Sequence, residues 1–90
     1  MNEDRTDETK QTFHQFVLNT LSAADFNTLP KQLELSTRMT TMRLRKPNLL
    51  GYETIKKMVA ILGGDLKELV TKYELGYDAL SAREYKQLMH

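Results

Sequence analysis

Apolar residues recur at three- and four-residue spacing along most of this 90-residue chain, and this spacing limits the fold more than any other feature of the sequence. Residues three and four apart lie on the same face of an α-helix, so each such segment predicts an amphipathic helix. Alternation of apolar and polar residues, the pattern of a half-buried strand, never extends beyond three or four residues. We therefore predict one all-α domain of five or six helices.

Capping residues and prolines predict the limits of the first two helices. The first helix covers residues 8 to about 21. Ser22 and Asp25 are both candidate N-caps for the second helix. Because Pro30 would remove a backbone hydrogen bond deep inside a helix, a start capped by Thr28, with Pro30 in the first turn, is the alternative.

A short third helix and a longer fourth helix follow. Ser36 is the candidate N-cap of the third helix, and Lys46-Pro47 ends it. Residues 48–51 then form a connecting loop. The fourth helix has its apolar side within residues 55–62, and Gly63-Gly64 terminates it.

Two capping-box patterns open the last two helices. Asp65-Leu66-Lys67-Glu68 opens the fifth helix, which Gly76 ends. Ser81-Ala82-Arg83-Glu84 opens the sixth, which reaches Leu88 or Met89. Leu80 and Tyr85 occupy the positions of a hydrophobic staple at its start.

Basic residues are concentrated in the middle of the chain. Residues 30–57 carry a net charge of +5, whereas the whole chain carries +1. Residues 1–8 carry −3. Charge asymmetry of this kind is typical of a protein with a surface for a polyanion.

Several classes of protein are disfavoured by what the sequence lacks. Without cysteine the chain has no disulfide, no thiolate chemistry and none of the usual structural zinc sites, so we expect a reducing, cytoplasmic location. The first residues are acidic and polar, unlike a secretory signal, and the longest aliphatic run spans only residues 58–62. We expect no membrane contact.

No set of residues predicts catalysis. His14 and His90 have no second ligand at metal spacing, and Gly63-Gly64 lacks the lysine and the preceding strand of a phosphate loop. No nucleophile, base and oxyanion set can be assembled. We expect neither an enzyme nor a metal, a cofactor or a small-molecule substrate.

The order of the helices resembles the repressor and Cro family of phage lambda, the Xre-like helix-turn-helix domains. Over residues 13–70 a longer first helix is followed by two short helices around a tight turn and then by packing helices. Residues 55–62 stand where the family has the apolar run of its fourth helix. The segment that stands where the family has the pattern Leu-Ala-x-x-Leu-Gly-Val-Ser reads Leu29-Pro30-Lys31-Gln32-Leu33-Glu34-Leu35-Ser36.

Three positions depart from the family pattern. Pro30 replaces a small alanine, and Glu34 replaces the turn glycine. Met39 lies one position earlier than the usual apolar residue of the third helix. The register of that helix is therefore open by one residue.

The resemblance implies that the third helix lies in the major groove of double-stranded DNA, with one side buried on the domain. Met39 and Met42 are then expected to face inward. The residues expected to face the base edges are Thr37, Arg38, Thr40, Thr41 and Arg45, with Arg43 on the flank. Ser36, at the start of the helix, is also expected to contact DNA. Those expected to hold phosphates are Lys31, Lys46, Lys56 and Lys57.

The sequence also predicts a division of the chain, and the predicted DNA-binding function leads us to expect a homodimer. Residues 1–7 are a flexible lead-in, residues 8–73 the DNA-binding domain, and residues 74–90 a C-terminal helix that contributes the dimer contact. One short helix reads only a few base pairs, so two copies are favoured. The apolar residues available for that contact are Leu75, Tyr77, Leu80, Tyr85, Leu88 and Met89.

The function we predict is that of a sequence-specific, repressor-like transcription regulator, and two alternatives stay open. A domain of the same fold that does not bind DNA would serve as an adaptor or antitoxin component, and weak, salt-insensitive DNA binding would be its sign. An enzyme or ligand sensor with a pocket between its helices would show a ligand-dependent rise in melting temperature.

Overall fold

The computed structural model describes residues 11–90, and these residues form six α-helices without a strand. This confirms the predicted all-α class. The predicted lead-in at residues 1–7 lies outside the described part of the chain. The helices are α1 (Phe13–Thr20), α2 (Ala23–Leu33), α3 (Thr37–Arg45), α4 (Tyr52–Leu62), α5 (Leu66–Tyr73) and α6 (Ala82–Met89).

Side-chain hydroxyl groups cap four of these helices. Ser22, Ser36 and Ser81 each accept a hydrogen bond from the backbone amide three residues later, at 3.0 to 3.1 Å. Thr12 does the same for α1, and the Gln15 side chain accepts the Thr12 amide in return. The predicted start of the first helix at residue 8 lies outside the described residues. Residues 11 and 12 are not helical, and the extended backbone of Thr12 (ψ 162°) sets the start of α1 at Phe13.

Helix α2 begins at the Ser22 cap, so the alternative start at Thr28 is wrong. Pro30 lies inside the helix, only three residues before its last residue. A proline at that place lacks the amide hydrogen and so removes one backbone hydrogen bond from the 11-residue helix. The carbonyl of Pro30 is used in turn by the backbone amide of Leu35 (2.9 Å).

The predicted start of α5 at Asp65 is confirmed, but its capping box and its end need correction. Asp65 is the N-cap residue, but its carboxylate makes no capping hydrogen bond; its ψ is 120°, whereas the serine caps have 163° or 164°. The helix ends at Tyr73, because Glu74 adopts the left-handed conformation that was expected of a glycine at residue 76. The start and end predicted for α6 are confirmed, including its capping box.

The segment predicted as a loop at residues 48–51 is more ordered than expected. Pro47–Leu49 form a turn of 3₁₀-helix, and Leu50 is completely buried. An apolar anchor at Leu50 explains why this short connection has a fixed conformation.

One hydrophobic core holds the helices together. Each of the six helices contributes at least one buried side chain to it, and Leu50 and Leu75 join it from the connections. Helix α3 packs against α1 and α2, while α4, α5 and α6 pack against one another. Leu75 and Leu88, which were expected on a dimer surface, are therefore core residues, and that part of the prediction is wrong.

Three hydrogen bonds connect the 3₁₀ turn that follows α3 to the segment between α5 and α6. The Gly76 amide donates to the Pro47 carbonyl, and the Asp78 amide donates to the Asn48 carbonyl, both at 2.9 Å. The Asn48 side-chain amide donates to the Asp78 carboxylate at 2.6 Å. We call these four residues the C-terminal clamp.

None of the helices within residues 11–90 has the length and apolar character that a membrane span requires.

Candidate nucleic-acid interface

Helices α2 and α3 are joined by a turn of only three residues, Glu34, Leu35 and Ser36. Glu34 has φ 60°, and its amide donates to the Lys31 carbonyl (3.1 Å). The Leu35 amide reaches back to the Pro30 carbonyl, which completes a Schellman motif. Ser36 then caps α3 through the Met39 amide (3.0 Å). These local hydrogen bonds fix the direction in which α3 leaves the turn.

Only two side chains of α3 are fully buried, Thr40 and Leu44, with exposures of 4% and 1%. They lie four residues apart and so form one narrow inward stripe. The rest of α3 is half-buried or exposed. The helix is therefore held against α1 and α2 along one edge and offers the remainder of its surface to solvent.

The predicted register of α3 is wrong. Met42 was expected to face inward but is 44% exposed, and Thr40, expected at the base edges, is buried. Thr40 tolerates burial because its hydroxyl donates to the Ser36 carbonyl (2.9 Å), which satisfies its polar group within the helix. Leu44, the one branched aliphatic residue of α3, determines the inward side together with Thr40.

The outward side of α3 carries a row of three exposed residues, Arg38, Met42 and Arg45, which we call the α3 stripe. Their spacing of four and then three residues places them along one line of the helix. Thr37 is exposed beside this row, whereas Thr41 and Arg43 are half-buried on its flanks. Within residues 11–90, no carboxylate lies within 4.0 Å of the guanidinium group of Arg38, Arg43 or Arg45.

The predicted phosphate-contacting lysines have different surroundings. Lys31 is exposed in the last turn of α2, and Lys46 is exposed at the end of α3. Lys56 is exposed, and its ammonium lies 5.0 Å from the centre of the Tyr52 ring. Lys57 is paired with Glu34 at 3.3 Å, so α4 reaches the turn between α2 and α3, and part of the charge of Lys57 is offset there.

Ser36, predicted both as the N-cap of α3 and as a DNA contact, uses its side-chain oxygen as the cap. Met42 belongs to this exposed surface, although the sequence analysis predicted that it faces the core. The sequence does contain a pattern that indicates the correct register. Leucine is buried more often than methionine, and Thr40 lies four residues before Leu44, on the same face of the helix.

The described residues hold no group of three or more His, Asp and Glu side chains able to bind a metal ion. The exposed side of α3 offers hydrogen-bond donors and positive charge from Arg38 and Arg45, and one thioether from Met42.

No family model, curated protein or solved structure matches the chain.

Proposed function

We propose that this protein is a sequence-specific DNA-binding transcription regulator of the helix-turn-helix type, in which α3 enters the major groove. The observation that carries the proposal is the exposed row of Arg38, Met42 and Arg45 on a helix that is buried along one narrow stripe only. A helix packed in this way exposes most of its surface, as a helix that binds in the major groove must. The resemblance of residues 13–70 to lambda repressor and Cro domains supports the same function.

The dimensions and the chemistry of α3 suit the major groove. Nine residues at a rise of 1.5 Å give a helix of about 13 Å, and the groove of B-DNA, about 12 Å wide, admits an α-helix. Arg38 and Arg45 can each donate two hydrogen bonds to the O6 and N7 atoms of guanine. Such a bidentate pair gives about 1–3 kcal/mol of discrimination against another base.

Phosphate contacts would come from the basic residues around α3. Lys31 and Lys46 are exposed near its two ends, and Arg43 lies on its flank. These side chains would fix the position of the domain on the duplex without reading sequence. Lys57 would contribute less than a free lysine, because Glu34 already offsets part of its charge.

We further infer that the protein binds DNA as a homodimer, because a single short helix reads only a few base pairs. The apolar surface left for this contact is smaller than the sequence predicted. Apart from the half-buried Met89, it consists of Tyr77, which is 44% exposed, with the half-buried Leu80 and Tyr85 beside it. These three side chains line one open cleft, and the two tyrosine rings meet edge to face at 5.7 Å.

The test of DNA binding is fluorescence anisotropy with a random-sequence duplex over a series of salt concentrations. The variant Arg38→Ala/Arg45→Ala removes two charges from the α3 stripe. The matched control Arg83→Ala/Lys86→Ala removes two exposed charges from α6. We expect wild type to bind with log K falling linearly with log salt. On a random-sequence duplex most sites lack the preferred guanines, so Arg38 and Arg45 lie against phosphates there, and the stripe variant should bind more weakly with a slope shallower by about 2.

The control variant should keep the wild-type slope to within about half a unit of log K per log unit of salt, since α6 is not expected to touch phosphates. Equal losses in both variants would show a dependence on net charge alone and would contradict a specific α3 surface. If wild type binds no DNA at about 50 mM salt, the proposal fails and the interaction module without DNA binding becomes the better explanation.

A further inference from the structure

We propose that Met42 makes α3 a reader of the C5-methyl group of a pyrimidine, next to guanines contacted by Arg38 and Arg45. The inference rests on the proposed function and adds to it the class of base that the centre of α3 selects. It follows from the observed register of α3, in which Met42 lies outward and Thr40 inward.

The centre of the outward side of α3 has no free hydrogen-bond donor from a side chain. Met42 carries only a thioether sulfur, which is a weak acceptor. The Thr41 hydroxyl beside it donates its proton to the Thr37 carbonyl (3.1 Å). The two arginines that can donate lie one turn away on either side. The middle of this surface is therefore suited to apolar contact and not to hydrogen bonding.

The major groove offers one apolar group that distinguishes base pairs, the C5-methyl of thymine; 5-methylcytosine presents the same group on another base. A flexible thioether adapts its shape to such a methyl group without needing a polar partner. Met42 is not required by the core, because Thr40 and Leu44 already form the buried stripe of α3. An exposed apolar side chain between two arginines is thus complementary to a methyl group between two guanines.

The helix spacing sets where these bases lie. At a rise of 1.5 Å per residue, Arg38 lies about 6 Å and Arg45 about 4.5 Å from Met42 along the helix axis. Successive base pairs lie about 3.4 Å apart. We therefore expect the methyl-bearing pyrimidine within about two base pairs of each guanine.

The test starts from the preferred duplex, obtained by selection from a random library with wild-type protein. Each thymine of that site is then replaced singly by uracil, which removes only the methyl group. In parallel, each cytosine is replaced by 5-methylcytosine, which adds only a methyl group. Wild type, Met42→Ala and the apolar control Met42→Leu are titrated against every duplex, with circular dichroism to check that the variants are folded.

We expect one thymine at which uracil weakens wild-type binding by about fourfold, the effect of burying one methyl group. Met42→Ala should lose this sensitivity, and Met42→Leu should retain it, because leucine supplies the same apolar contact. If uracil has no effect but 5-methylcytosine strengthens wild-type binding by a similar factor, the inference holds with methylated cytosine as the base.

Indifference of wild type to both substitutions would overturn the inference alone, as would an undiminished response in Met42→Ala. Failure of wild type to bind any duplex would be a different result, since it overturns the proposed function before any methyl group is tested.

Discussion

At the scale of single residues, two glutamates occupy backbone conformations that favour glycine. Glu34 has φ 60° and Glu74 has φ 55°. A side chain in the left-handed region costs about 1–2 kcal/mol relative to glycine, partly offset by the greater freedom of glycine in the unfolded chain. We expect Glu34→Gly and Glu74→Gly each to raise the free energy of unfolding, by about 0.5–1 kcal/mol.

The two variants act as controls for each other, and urea denaturation measures both. Glu34→Gly also removes the exposed ion pair with Lys57, which contributes about 0.2–1 kcal/mol, so its gain should be the smaller one. A loss of stability in both variants would show that the left-handed conformation is not the dominant cost at these positions.

Residues whose role depends on neighbours in the sequence were the easiest to predict. Ser22, Ser36 and Ser81 form hydrogen bonds only three residues away. Ser36 and Ser81 were predicted correctly as caps, and Ser22 was one of the candidates for its helix. The inward side of α3 depends instead on which side chains meet α1 and α2. The prediction therefore placed Met42 inward and Thr40 outward, the reverse of the structure. The helix propensities of the two residues carry no information on tertiary contacts.

At the scale of elements, two glycines show the difference between a backbone requirement and a packing requirement. Gly63 has φ 79° and nothing within 4 Å of the position of a Cβ atom. Gly76 has φ 74°, and a Cβ atom there would lie 2.7 Å from the Leu80 Cγ and 2.8 Å from the Ile55 Cδ1. Gly76 therefore allows the segment after α5 to pass close to α4.

We expect Gly63→Ala to lower the free energy of unfolding by about 1–2 kcal/mol, from backbone strain alone. Gly76→Ala adds overpacking and should lower it by about 2–5 kcal/mol. Thermal and urea unfolding of the two variants would measure the difference. Equal losses would mean that Leu80 and Ile55 move aside at no cost.

The same distinction explains which element boundaries were predictable. The end of α4 follows from Gly63, whose effect is local, and it was predicted correctly. The 3₁₀ turn at Pro47–Leu49 depends on burial of Leu50 and on hydrogen bonds from Gly76 and Asp78, both distant in sequence. No pattern within residues 48–51 carries that information.

At the scale of the whole molecule, the proposed homodimer makes a prediction about mass and about DNA length. We expect light scattering at high protein concentration to give twice the mass of one chain. Tyr77→Asp should give the single-chain mass, because it places a charge in the proposed contact. Leu18→Asp is the matched control, since Leu18 is similarly exposed (47%) on α1 and should leave the dimer intact.

The preferred DNA site would then contain two half-sites about 34–36 Å apart, or a multiple of that distance. A monomeric wild type, or a dimer that Tyr77→Asp leaves unchanged, would contradict a contact through this surface. The sequence predicted too large a surface here, because a sequence does not show that Leu75 and Leu88 are used in the core.

The C-terminal clamp has a consequence for the synthesis of the chain. The amides of Gly76 and Asp78 hold the carbonyls of Pro47 and Asn48, directly after α3. Since a ribosome adds residues from the N-terminus onward, those two hydrogen bonds cannot form until most of the 90 residues have been translated and released from the exit tunnel. A product that terminates after α5 would contain the whole sequence of α2 and α3 but would lack the bonds that anchor the end of α3.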